Sequence, residues 1–158
     1  MRTISLTEIR EKFIAPDIRV LALDVSKSSI GIAVATMGLR VVTPLKTIKR
    51  AGIKADAGAL NAILRDYPSQ LMAVGWPLNM DGTEGVRCQS VRDSMVELMK
   101  FMPDVPILFW DERLSTADGD KLVDSLGDIQ GNLRDKQGIK PRDHLAAKVI
   151  LESFLENI

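Results

Sequence analysis

Val20-Leu21-Ala22-Leu23-Asp24-Val25-Ser26-Lys27-Ser28-Ser29-Ile30-Gly31-Ile32-Ala33-Val34-Ala35 is the stretch that decides the fold. Two apolar runs rich in β-branched residues flank a short polar break, the pattern of a hairpin between two buried strands. One acid, Asp24, stands at the end of the first run. Burying an unpaired carboxylate is costly, so Asp24 needs a partner. The rest of the chain is read for that partner.

Upstream, residues 1–18 read as a helical extension to a single domain over 19–158. Ser5 and Glu8 have capping-box spacing, Leu6, Ile9 and Phe13 fall at helical intervals, and Pro16 ends the helix. Its simplest role is to cover apolar surface on the main fold. Downstream, strands are expected over 19–25, 29–36 and 39–48, with Pro44 marking an edge position or a bulge. Short turns make these three strands an antiparallel meander. A helix over 53–66 follows, then a buried strand at 71–75 and a loop with a turn at Asp81-Gly82. A second helix over 84–101 and a strand at 105–110 complete the crossover units. Ser115 and Asp118 have cap spacing for a helix ending near Gly127. Residues 127–142 read as a glycine- and cation-rich loop, and the last helix is expected over 142–156. The order predicts a mixed five-stranded α/β sheet with helices on both faces.

Composition narrows the classes. The chain has 158 residues, the size of one domain with a real core. Lys and Arg total 21 and balance 21 Asp and Glu, so any nucleic-acid role must rest on local patches. The single Cys88 excludes an internal disulfide and fits a reducing compartment. No apolar run reaches membrane-spanning length and the charged N-terminus lacks a signal peptide's apolar centre, so the cytoplasm is expected and no membrane partner is.

Three acidic sites stand out. Asp24 ends the first strand, Asp111 and Glu112 follow the fifth, and Asp143 begins the last helix. Ligand crevices in α/β sheets lie at the carboxyl ends of strands, so Asp24 and Glu112 share a rim if their strands run parallel. Asp143 shares a helix face with Ala146, Ala147, Ile150 and Phe154, an apolar face that points at the sheet. Small Ala146 and Ala147 allow close approach. Clustered carboxylates repel and raise one another's pKa. A divalent cation resolves the conflict; magnesium takes carboxylates, waters and substrate phosphate, and two such ions support phosphodiester hydrolysis. Taken singly, each acid has a plainer role: Asp143 as a helix cap, Glu112 as a partner of Arg113, Asp24 as a turn stabiliser. Their coincidence at compatible places favours a metal site.

At these residues the chain resembles the YqgF (RuvX) family of Holliday-junction-resolvase-like and pre-16S rRNA nucleases. The matching segments begin with Leu23-Asp24-Val25, Ile30-Gly31-Ile32-Ala33 and Thr43-Pro44-Leu45 before Thr47-Ile48. They continue with Val74-Gly75-Trp76-Pro77-Leu78-Asn79-Met80-Asp81-Gly82-Thr83-Glu84-Gly85 and Trp110-Asp111-Glu112-Arg113-Leu114-Ser115-Thr116. Asp143, Ala146-Ala147 and Ile150-Leu151 close the set. The resemblance implies a ribonuclease H-like fold over 19–158 and cleavage of nucleic acid with Mg2+ or Mn2+. It also implies maturation of the 5′ end of 16S rRNA on a ribosomal precursor, with branched DNA as another substrate. It makes Asp24, Glu112 and Asp143 the catalytic metal acids, with Asp111 beside them. Asn79 and Arg113 match positions near the cleft, where phosphate contact and loop anchoring both stay open. One residue departs from the pattern: the family usually has Gly where this chain has Ser26. Serine there could narrow the space for phosphate, shift the metal, or add a polar contact.

Other residues carry two readings each. His144 reads first as a solvated or partly packed side chain, with proton transfer in hydrolysis as its alternative, Cys88 as a packing residue, and Trp76 and Trp110 as core or cleft wall rather than stacking platforms. Lys46, Lys49, Arg50 and Lys54 form a solvated face or a phosphate grip, and Lys140 shares that ambiguity. Alternatives to a nuclease are a non-catalytic nucleic-acid- or ribosome-associated protein on the same fold, and a kinase-like phosphotransferase. The chain is too short for the two domains that the last would need.

Overall fold

The computed structural model describes residues 1–114 and 142–158, with the backbone alone at 142–144. The helix expected after Ser115, the 127–142 loop with Lys140, and the side chains of Asp143 and His144 lie outside the described residues.

The hairpin forms as its pattern requires. Strand β1 is Arg19–Val25 and β2 is Ser29–Thr36, antiparallel with Asp24 opposite Gly31. Strand β3, Thr43–Lys49, lies at the sheet edge beside β2. It begins later than the apolar run suggested, because Leu39 and Val41 are exposed and unpaired with the sheet. Pro44 sits at that edge, beside a register shift between Ile32 and Ala33, which leaves Leu45 as the extra residue. Strand β4, Leu71–Trp76, and β5, Ile107–Asp111, run parallel to β1, giving the order β3-β2-β1-β4-β5.

Strand alternation sorts the core into two layers. Leu21, Leu23, Ile30, Ile32, Met72 and Val74 face helices α2 (Ile53–Asp66) and α3 (Val86–Met99). Val20, Ala22, Ala33, Leu71, Ala73, Leu108 and Trp110 face the last helix, α4 (Arg142–Glu156), through Ala147, Ile150, Leu151 and Phe154. Helix α3 begins two residues later than its apolar stripe suggested, after the uncapped Gly85. At the N-terminus, α1 (Leu6–Lys12) has the full Ser5–Glu8 capping box, and its Ile9 is wholly buried against the α4 layer. The preceding residues pair with the outer edge of β5: Ile4 N–H donates to Ile107 O and Ile107 N–H to Arg2 O, both at 2.9 Å. No described helix is long and apolar enough to cross a membrane.

One buried ion pair fixes the hairpin turn to the rest of the sheet. Asp56 in the first turn of α2 is 1% exposed, accepts from Arg50 Nε at 2.6 Å and from Ala51 N–H at 2.9 Å. Arg50 Nη1 also donates to Ser26 O at 3.0 Å. Removing one member of a buried pair leaves the other uncompensated. Asp56→Ala is therefore expected to destabilise the fold by about 3 kcal/mol. That is the low end for such pairs, since Arg50 keeps some solvent. Urea unfolding should show a lower midpoint with an unchanged slope; an unchanged midpoint would remove the pair from the stabilising set.

Candidate active site

The site grows out of the parallel register. Leu23 pairs with Val74, so Asp24 is level with Gly75, and Gly75 in turn pairs with Trp110. Asp24 follows the Val20 and Ala22 side of β1 by alternation, which is the α4 side. Glu112, in the 3-10 turn Glu112–Leu114 that ends β5, comes to the same side. Both carboxylates are half-buried and line one cleft of about 730 Å³. Its other walls include Pro77 and Arg87, and Ala146 and Ile150 from α4. Position 143 lies one turn before Ala146 and two before Ile150 on that helix.

Gly75 leaves the room that the Glu112 carboxylate takes up. A Cβ at this position would collide with Oε1 of Glu112 and stand 2.7 Å from Ile150 Cδ1. The missing side chain leaves a cradle between β1 and β5, filled by the Glu112 carboxylate. Its donors are carboxylate oxygens, a hard set suited to Mg2+ or Mn2+. Among the described residues no group of three His, Cys, Asp or Glu side chains gathers; the side chain of the third expected acid, Asp143, is not one of them.

The remaining candidates are placed as follows. Asp111 is absent from the cleft lining, and its two oxygens bind Arg113: Nε donates to Oδ1 at 3.0 Å and Nη2 to Oδ2 at 2.8 Å. Hydrogen bonding from that guanidinium holds the Asp111 carboxyl below its ordinary range, against a smaller opposing effect of burial. Arg113 lines the cleft but is committed to Asp111. Asn79 serves its own loop, with Nδ2 donating to Thr83 Oγ1 at 3.0 Å and its N–H to Thr83 O at 2.9 Å. Asp81 accepts from the Thr83 hydroxyl and N–H, which lowers its pKa, and Gly82 turns the loop at φ +85° beside Arg113. Lys46 is exposed on β3 and is not among the residues lining the cleft. Trp76 and Trp110 are buried, Trp76 tilted against Phe109 and Trp110 edge-on to Phe154. Cys88 is buried in the α3 layer.

Ser26 adopts no left-handed backbone. Its hydroxyl accepts from Ser29 N–H at 3.0 Å and Ser28 N–H at 3.3 Å, and donates to Ser29 O at 3.0 Å. The side chain therefore closes the turn that follows Asp24. The structure thus shows the added polar contact.

Two cations beside the acids escaped sequence reasoning, Arg87 and Lys27. A signal for Arg87 was available. A helix that follows a parallel strand starts at that strand's carboxyl end, so the first turn of α3 faces the crevice.

A sheet of this order, with acids at the carboxyl ends of β1 and β5 beneath a closing helix, is the architecture of the ribonuclease H-like nucleases. The chain belongs to the RuvX family, whose model, described as "Holliday junction resolvase", matches residues 18–157. A protein of Caulobacter sp. (strain K31) named "Putative pre-16S rRNA nuclease" is 38% identical over 139 residues, 88% of this chain and 82% of that one. A Ruegeria pomeroyi protein of the same name is 38% identical over 156 residues, 97% of each chain. Among solved structures, T. thermophilus RuvC in complex with Holliday junction substrate superposes with a TM-score of 0.52 at 14% identity, covering 86% of this chain and 91% of that one. That likeness bears on the fold. The family and its relatives make the chain a nuclease, a hydrolase in class.

Gly75→Ala tests the cradle. Displacing Glu112 by about 1 Å is expected to lower nuclease activity about 10²-fold, while overpacking destabilises the fold by about 1–3 kcal/mol. Cleavage rates and thermal unfolding measured together check this; full activity in the variant would show that Glu112 does not need its present position.

Proposed function

We propose that this nuclease hydrolyses phosphodiester bonds of RNA with Mg2+ or Mn2+, and that its cellular task is processing of the 5′ end of pre-16S rRNA in the cytoplasm. The observation that carries the proposal is the meeting of Asp24 and Glu112 in one glycine-cradled cleft at the rim where α4 begins. Asp24, Glu112 and Asp143 would hold the cation, and Asp111 is assigned to anchoring Arg113. When bound, a divalent cation supplies Lewis-acid charge to the reacting phosphoryl group. The substrate assignment follows the names of the relatives that align along most of the chain.

The chain's own residues have separable duties. Asp24 and Glu112 provide fixed negative charge at the floor of the cleft. Ala146 and Ala147 keep α4 close to the sheet. The Asn79–Thr83 loop and Arg113 shape the cleft mouth, and Pro77 stiffens the chain leaving β4.

The test compares wild type with Asp24→Asn on structured precursor RNA and on branched DNA, with Mg2+. Loss of at least about 10²-fold is expected for the variant, the scale of removing one charge-stabilising group from a reacting centre. In the absence of substrate, Mn2+ should raise the melting temperature of the wild type, since a ligand that binds only the folded state stabilises it. The rise should be absent in Asp24→Asn. Equal cleavage by both proteins would sink the assignment. RNA binding without metal-dependent cleavage would leave the binding-protein alternative.

A further inference from the structure

A second cavity of about 360 Å³ opens beside the acid cleft, between the β1–β2 turn and the start of α3. It shares Asp24, Pro77, Arg87 and Glu112 with the first cavity and adds Lys27 and Ser90. A strand whose phosphate reaches the acid cleft carries further phosphates on either side of it. Cations beside the cleft are the groups that would hold those neighbours.

The cations around the cleft are mostly committed elsewhere. Arg50 is paired with Asp56 at 2.6 Å, Arg113 with Asp111 at 2.8 Å, and Arg92 with Glu84 at 2.9 Å. Arg87 and Lys27 make no ion pair among the described residues, are exposed, and both line the second cavity, Lys27 from the β1–β2 turn and Arg87 from the first turn of α3. The first turn of α3 carries no acid to neutralise Arg87. We propose that Arg87 and Lys27 form a subsite for the sugar-phosphate backbone of the RNA strand next to the cleaved bond. This rests on the nuclease reading of the acid cleft. Arg87 presents the forked donor set that matches a phosphate bidentately, and Lys27 adds a point charge from the turn. Ser90, one helical turn after Arg87, offers a hydroxyl on the same side.

The experiment measures binding apart from cleavage. Fluorescein-labelled single-stranded RNA is titrated into Asp24→Asn protein in EDTA at several salt concentrations and followed by anisotropy. Adding Arg87→Ala or Lys27→Ala is expected to weaken binding about 10-fold, the scale of one charged hydrogen bond. Each should also make the plot of log K against log salt shallower by about 0.7, one single-strand phosphate contact. Arg87→Lys should restore the slope but only part of the affinity, because the fork is lost. Arg65→Ala, an exposed cation in the last turn of α2, should change neither. Unchanged slopes in both Arg87→Ala and Lys27→Ala would overturn the subsite, whatever the wild type cleaves. Altered slopes together with a wild type that cleaves no RNA in Mg2+ would support the subsite and bring down the nuclease reading instead.

Discussion

Two acid-bearing strands, β1 and β5, are separated by β4, and this spacing constrains the rest of the site. Neighbouring strands lie about 4.8 Å apart, so the backbones carrying Asp24 and Glu112 are about two such steps from one another. Their side chains can serve one centre only if the strand between them contributes nothing at that level. Gly75 meets that condition, and even alanine would intrude on the Glu112 carboxylate. Ile150 Cδ1 presses on the same gap from α4, so the depth of the last helix and the placement of Glu112 depend on one absent side chain.

Charge is organised with the same economy. The chain has no net charge, yet its cations are not interchangeable. Arg50 is spent on Asp56 and the hairpin turn, and Arg113 on Asp111. The Asp111 pair explains how adjacent acids, Asp111 and Glu112, come to serve different ends. One carboxylate is neutralised by its guanidinium and carries the turn, and the other enters the cleft. Ser26 and Arg50 together hold the loop that follows Asp24 from inside and outside the turn.

The hairpin, α2 and α4 were legible in the sequence to the residue, because strong periodic patterns end there in clear breaks. The start of β3 was not, since Leu39 and Val41 carry the apolar signal of a strand but stay exposed in the connection. Asp24 and Glu112 share one rim on the condition that β1 and β5 run parallel, which they do. Asp111 was harder to place. Strand alternation puts it with Phe109 rather than Trp110, and that parity is lost when a motif is read as a block. Arg87 was overlooked for a related reason. Reading α3 by its apolar stripe picks out Val91, Met95 and Leu98, which say which face is buried and nothing about which end meets the cleft.

The last helix must be held against sliding if its first turn is to serve the site. Ser153 provides that hold. Trp110 Nε1 donates to its hydroxyl at 3.1 Å, and the hydroxyl donates to Leu114 O at 2.9 Å. One buried oxygen thus joins α4 to both sides of Glu112, the strand before it and the turn after it. Position 143 lies ten residues away, about 15 Å along the helix. Ala146, Ala147 and Ile150 set the rotation of the intervening turns against the sheet. The N-terminal segment secures the other side of β5 through Arg2 and Ile4. The backbone on either side of Glu112 is therefore fixed by α4, and the glycine beside it leaves room for its carboxylate. A side chain on so fixed a backbone loses little freedom on meeting a ligand, which is the physical support for reading Glu112 as a site residue.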